Sequence, residues 1–161
     1  MSKGILRIYY GNGYGKSTAA FGTAVRESSR GKNAIVISFL REKNEESEEL
    51  LKALEPQLKL FRFEKSNVSF DELSEKEKED EIMNLKNGFN YSKKVISTGA
   101  CDVVVLDEIL ELLDNQVITE EELKELLTAI PEDMVVICTG KQVPESIKAC
   151  ADEVYQLTLE K

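Results

Sequence analysis

The order of apolar and amphipathic segments predicts an α/β fold with a mostly parallel central sheet of about six strands. Two observations carry this. Short apolar runs rich in β-branched residues alternate with segments of helical period, the pattern of strands buried on both faces. A glycine-rich turn joins the first run to the first helical segment, and a later run ends in two acids.

The strand runs are Ile5–Tyr9, Ala34–Leu40, Leu58–Phe63, Val103–Leu106, Met134–Cys138 and Val154–Leu159. The first helix is expected over Ser17–Ser29 and stops at Gly31, a C-terminal glycine signal. A second covers Glu45–Leu54 and ends before Pro56. Ser74 with Glu77 and Thr119 with Glu122 read as two capping boxes. The first precedes Ile82, Leu85, Phe89 and Ile96 at helical spacing, with Gly88 as a weak point in its middle; glycine there costs about 1 kcal/mol relative to alanine. The second precedes Leu123, Leu126, Leu127 and Ile130. A short helix follows Val103–Leu106 over Ile109–Leu113, and a last one runs from Pro144 to near Ala151. The charged stretch 71–81 reads as a solvated helix start, and Ser66–Phe70 as an irregular substrate loop.

Tyr10-Gly11-Asn12-Gly13-Tyr14-Gly15-Lys16-Ser17-Thr18 is the most informative stretch. Between a strand and a helix, it presents backbone N–H groups and a helix N-terminus to an anion. Lys16 would reach the phosphates, and the Ser17 hydroxyl would serve a bound Mg²⁺. The ligand contacts are assigned to Gly11, Asn12, Gly13, Tyr14, Gly15, Lys16, Ser17 and Thr18. The usual spacing G-x-x-x-x-G-K-[ST] asks for glycine at position 10, where this chain has Tyr10; the glycine register is shifted.

Val103-Val104-Val105-Leu106-Asp107-Glu108 places two acids at the carboxyl end of a buried strand, the edge where open α/β sheets bind ligands. Asp107 is suited to hold Mg²⁺ opposite Ser17, and Glu108 to orient a water or support the metal. Either acid could instead cap the helix that follows. Thr139-Gly140-Lys141 leaves another strand, so that Lys141 and the Gly140 amide also emerge at the same edge as further candidate ligand contacts; a plain strand exit is the other reading. Strand, loop and acidic strand end together describe a P-loop NTPase-like (RecA-like) three-layer fold, one domain over residues 1–161.

Composition bounds the chemistry. Histidine is absent, so the commonest general base and metal ligand is missing. The net charge of −9 divides into +6 over residues 1–41 and −15 over the rest. The basic excess around the loop, Arg41 included, suits a small anionic ligand; the acidic remainder argues against a nucleic-acid groove. No apolar run approaches a membrane span, and Met1–Gly4 lead straight into a strand, so a cytoplasmic protein without signal peptide is expected. Cys101, Cys138 and Cys150 lack metal spacing and read as reduced, buried thiols.

The loop and its continuation, Gly11 through Gly22, resemble those of the ATP:corrinoid adenosyltransferases of the phosphate-loop type, whose loop reads close to T-G-N-G-K-G-K-T-T-A-A-F-G. The shifted glycine register is the register of that family. Thr23-Ala24-Val25-Arg26, Gly31-Lys32-Asn33, the Val104–Glu108 strand end and Thr139-Gly140-Lys141 with Pro144 and Ala151-Asp152 are similar too. Tyr14 stands where the family has lysine, and Lys141 where it has arginine. The resemblance implies transfer of the 5′-deoxyadenosyl group of ATP to a Co(I) corrinoid, with Mg²⁺ as cofactor and triphosphate released. The nucleotide would lie reversed in the loop, compared with ordinary hydrolases. Lys16 and Glu108 would act in catalysis, Ser17, Asp107 and Glu108 at the metal, and Val68 and Phe70 against the corrinoid. It also implies a homodimer, a flavoprotein reductase or corrinoid-dependent enzyme as partner, and a longer C-terminal tail than the one ending at Lys161.

Two other readings remain open on the residues: a P-loop ATPase or small-molecule kinase, and a non-catalytic nucleotide or corrinoid binder. No arginine follows Arg62, which weighs against a kinase with an arginine-bearing lid in its second half.

Overall fold

The computed structural model describes residues 3–40, 49 and 52–161. Its centre is a six-stranded, all-parallel sheet. The strands are β1 (Ile5–Tyr10), β2 (Ala34–Ser38), β3 (Leu58–Arg62), β4 (Val103–Asp107), β5 (Val135–Gly140) and β6 (Glu153–Gln156), in the order β3-β2-β4-β5-β1-β6. The helices with both ends among the described residues are α1 (Lys16–Ser29), α2 (Glu75–Thr98), α3 (Glu111–Asp114), α4 (Glu120–Thr128) and α5 (Glu145–Lys148). The α/β class and the strand count agree with the expectation. Of the helix expected over Glu45–Leu54, residues 49 and 52–54 are described, with 49 and 52 helical and 53–54 in a turn; the remainder lies outside the described residues, and so does Arg41.

Alternation along the strands divides the core in two. Ala34, Val36, Val103, Val105 and Ile137 face Ala20 and Ala24 of α1. Ile8, Ile37, Val104, Leu106, Val136 and Cys138 face the other way, with Leu85, Phe89, Val95 and Ile96 of α2 and Leu123, Leu126 and Leu127 of α4. Every residue of β4 is buried, as a central parallel strand covered on both faces should be.

The helix starts are as the sequence implies. Ser74 and Glu77 cap α2 reciprocally, and Thr119 and Glu122 cap α4, satisfying N–H groups that helix geometry leaves orphaned. Gly99, at φ 62°, ends α2. Gly88 is a packing requirement, since a Cβ there would stand 2.8 Å from the Phe63 ring. Close approach of Phe63 offsets its helix penalty.

Several boundaries differ from expectation. The turn after Asp107 runs through Glu108, Ile109 and Leu110 before α3 begins at Glu111, and no side chain caps that helix. The residues after Gln156 leave the ladder earlier than expected: Leu157 N–H donates to the Tyr10 carbonyl (2.8 Å), and its own carbonyl accepts from Gly13 N–H (2.9 Å). The stretch 71–81 is mostly solvated, but Glu81 is 3% exposed. Phe70–Glu72 form one turn of 3₁₀ helix, so the segment 66–70 leads into local structure.

Candidate active site at the carboxyl edge of the sheet

The residues between β1 and α1 form an open loop against the ends of β5 and β6. Gly11 (φ 125°) and Gly15 (φ 104°) hold left-handed conformations, which side chains resist. Gly11 N–H donates to the Gly140 carbonyl (3.1 Å) and Gly13 N–H to Leu157 (2.9 Å). A Cβ at Gly11 would lie 2.2 Å from the Leu157 carbonyl oxygen, and one at Gly13 2.9 Å from it. The shifted glycine register thus accommodates the backbone that follows β6. With these two amides used internally, the anion-facing donors are the amides nearer the helix start.

Those donors stand ready. Gly15 is the N-cap of α1, no side chain caps the helix, and its first turn holds no acid. Its first N–H groups therefore have no intrahelical acceptor, and the helix dipole adds positive character. Lys16 is buried, and its Nζ rests 3.3 Å from the Gly13 carbonyl. Among the described residues it pairs with no carboxylate. A buried ammonium on a neutral carbonyl lacks a counter-charge, which a phosphate would supply. Tyr14 is 93% exposed at the loop tip.

Asp107 anchors the other wall. Its Oδ1 accepts from Ser17 Oγ (2.7 Å) and from Thr139 Oγ1 (2.8 Å), and Glu108 N–H donates to Thr139 Oγ1 (2.8 Å). Asp107 and Glu108 are both buried. Glu108 holds φ 63°, a conformation that costs a non-glycine residue roughly 1–2 kcal/mol. The strain persists because the turn is fixed from β5: Leu110 N–H donates to the Thr139 carbonyl (3.3 Å), and a Cβ at Gly140 would strike Leu110. Lys141 follows directly, exposed, with its N–H on Glu111 Oε1 (2.7 Å).

The structure therefore brings Gly11–Thr18, Asp107, Glu108 and Lys141 to one edge. Val68 and Phe70 follow β3, four strands from β1, roughly 19 Å across the sheet at the usual strand spacing. Val68 is exposed and Phe70 half-buried against the core. The chain leading to them is held by Glu81, whose carboxylate accepts from Lys65 N–H (2.9 Å), Ser66 N–H (2.8 Å) and Asn84 Nδ2 (3.1 Å). A depression of about 260 Å³ lies beside it, lined in part by Lys65, Ser66, Glu81 and Asn84.

Sequence reasoning missed Thr139 and Glu81 as organisers. Thr139 carried a usable signal, since it ends a strand of the same kind as the one that presents Asp107. Glu81 carried none within its charged run. Cys101 and Cys138 offer no rival nucleophile: burial pushes Cys101 up to about 11 and Cys138 higher still, so both stay protonated at neutral pH; Cys150, expected to be buried too, is only half-buried.

A family model for "ATP:corrinoid adenosyltransferase BtuR/CobO/CobP" matches residues 2–161. The chain belongs to the ATP:corrinoid adenosyltransferase family. It is similar to a corrinoid adenosyltransferase of Escherichia coli (strain K12), 30% identical over 155 residues, which span 96% of this chain and 76% of the relative. Corrinoid adenosyltransferase CobA of Salmonella typhimurium (strain LT2) is 31% identical over the same shares. A corrinoid adenosyltransferase of Pseudomonas aeruginosa is 24% identical over 99% of this chain and 77% of the relative. The family of this chain is one of transferases, and its phosphate loop, acidic strand end and parallel sheet fit that assignment. No helix among the described residues is long and apolar enough to cross a membrane.

Proposed function

We propose that this enzyme transfers the 5′-deoxyadenosyl group of ATP to a reduced Co(I) corrinoid and releases triphosphate. The observation that carries the reading is the uncapped N-terminus of α1 with buried Lys16 beside it, facing Ser17 and Asp107. In this reading the site holds the three linked phosphates of ATP, and the chain has no histidine base. The reaction needs none: the Co(I) of the substrate attacks the 5′ carbon directly, a carbon–cobalt bond forms, and the carbon–oxygen bond to triphosphate breaks. The protein's part is to hold the nucleotide in line and stabilise the charge that develops on the leaving oxygen. Lys16 and the amides of Gly15 to Thr18 do this at the phosphates, with Asn12 and Tyr14 at the rim and Lys141 and Arg41 as further cations. Val68 and Phe70 offer apolar contact to the corrinoid.

The donors fit a hard divalent cation such as Mg²⁺. Ser17 Oγ and Asp107 Oδ1 are oxygen ligands already 2.7 Å apart, and Glu108 stands next in the chain to support them. Among the described residues no three His, Cys, Asp or Glu side chains form a metal cage, in keeping with an ion that takes one or two carboxylates and completes its shell with water and phosphate. Bound there, it would neutralise charge on the triphosphate. Within this reading the protein works in the cytoplasm as a homodimer, supplied with reduced corrinoid by a flavoprotein reductase.

Incubation with ATP and chemically reduced corrinoid tests the proposal. The expected result is the carbon–cobalt product in its absorption spectrum, with one triphosphate released per product. ATP binding without product would leave a nucleotide binder, and orthophosphate release without corrinoid would favour a hydrolase.

A further inference from the structure

One polar group at this edge takes no part in the bonds described above. Ser38 ends β2 and is 1% exposed, and among the described residues its Oγ makes no hydrogen bond. A buried hydroxyl without a partner has given up water for nothing. Its position gives it a use. Ser38 is paired in register with Asp107 on β4. Ala34 and Val36, four and two residues earlier, belong to the α1-facing core with Val103, Val105 and Ile137. Alternation therefore puts Ser38, Asp107 and Thr139 in one row on the α1 face, beyond the last apolar layer and beneath Ser17. Thr139 and Ser17 both donate to Asp107. Ser38 is the next hydroxyl in the row.

We propose that Ser38 is a positioning residue for the water shell of the divalent cation held by Ser17 and Asp107. A water on the cation donates to Ser38 Oγ, which has no protein partner among the described residues. This rests on the metal reading given above. The site suits a water better than a direct ligand, because a small hard cation keeps several waters and a bridging water serves nearly as well as a direct hydrogen bond. The hydroxyl also lies one strand beyond Asp107.

The test titrates Mn²⁺ into the full chain bound to ATP, read by electron paramagnetic resonance, beside the melting temperature of the ligand-free protein. In Ser38→Ala, Mn²⁺ affinity falls about threefold to tenfold, one hydrogen bond's worth. The ligand-free melting temperature stays level or rises, because the deleted group had no bond to lose. Ser38→Thr, which keeps the hydroxyl, holds its Mn²⁺ affinity within about twofold of the parent. Unchanged affinity in Ser38→Ala overturns the proposal. So does an equal loss in both variants accompanied by a drop in ligand-free stability, which would mark a role in shape alone. Asp107→Asn separates the two levels. If it loses Mn²⁺ while Ser38→Ala does not, only the role of Ser38 fails. If it binds Mn²⁺ as tightly as the parent, the metal reading falls and takes Ser38 with it.

Discussion

The two halves of the carboxyl edge are built to different standards. At the β1, β4 and β5 ends the site is cross-braced: Ser17 and Thr139 on Asp107, the Glu108 backbone on Thr139, the loop pinned to Gly140 and Leu157. Past the end of β3, Val68 is exposed, Phe70 is half-buried, and the backbone at Lys65 and Ser66 is held by the buried carboxylate of Glu81. The half assigned to the nucleotide is held by these side-chain and backbone bonds, while in the half assigned to the corrinoid Val68 is exposed and Phe70 only half-buried. That division suits the chemistry proposed. A charged leaving group gains most from fixed dipoles, whereas a large apolar partner can bring its own surface.

The largest effect that would break the contrast lies at Lys16. Lys16→Ala removes the buried cation that the described residues place at the loop. Transfer, as kcat/KM for ATP, is expected to fall by about 10²–10³-fold, with weaker ATP binding by calorimetry. Corrinoid binding without nucleotide should change less than about twofold, because Lys16 follows β1 and the residues assigned to the corrinoid follow β3, four strands away. Full ATP affinity in this variant would contradict any phosphate-binding role for the loop.

An intermediate effect, in the other half, is expected from Glu81→Gln. Each Glu81 oxygen accepts a backbone N–H from the chain at 65–66. An amide keeps one acceptor and turns an NH₂ toward the other donor. The lost bonds are charge-assisted, worth about 1.5–3 kcal/mol. Amide hydrogen exchange at Lys65 and Ser66 should speed up, and the KM for corrinoid should rise while ATP affinity stays put. A rise in both would mean that the two halves are coupled more tightly than their contacts imply.

The same contrast explains what was legible in the sequence. The loop, the acidic strand end and the capping boxes are short-range patterns in which a few consecutive residues carry the physics. The six strands declared themselves by apolar runs, although β6 was drawn too long because Leu157 and Leu159 look like strand residues. The backbone of Leu157 instead serves the loop near Gly13, a contact no local pattern encodes. Glu81 was hidden for the same reason: its partners lie 15 and 16 residues earlier, in a segment without regular structure. Ser38 looked like one more small strand residue until the register set it beside Asp107.

The smallest effect concerns the anchor of that C-terminal turn. Glu153 Oε2 accepts from Tyr155 OH (2.8 Å) and from Arg7 Nε (2.8 Å), tying β6 to β1. The Tyr155 hydroxyl first, and Arg7 second, hold the Glu153 carboxyl below its ordinary value of 4.5. A depressed folded value means stability that is present above the unfolded value and lost as pH falls through the folded one. Glu153→Gln should therefore melt slightly lower than the parent at neutral pH. The two should converge only as the pH drops below 4.5 and through the depressed folded value. The group is exposed, so the difference is small and shrinks further in salt. Its carboxyl titration by NMR is the sharper measurement. Tyr155→Phe should move the Glu153 midpoint back toward 4.5. Exchange at the Gly13 amide should quicken if β6 indeed steadies the loop through Leu157; a Gly13 amide indifferent to both changes would show that the loop holds its shape without that strand.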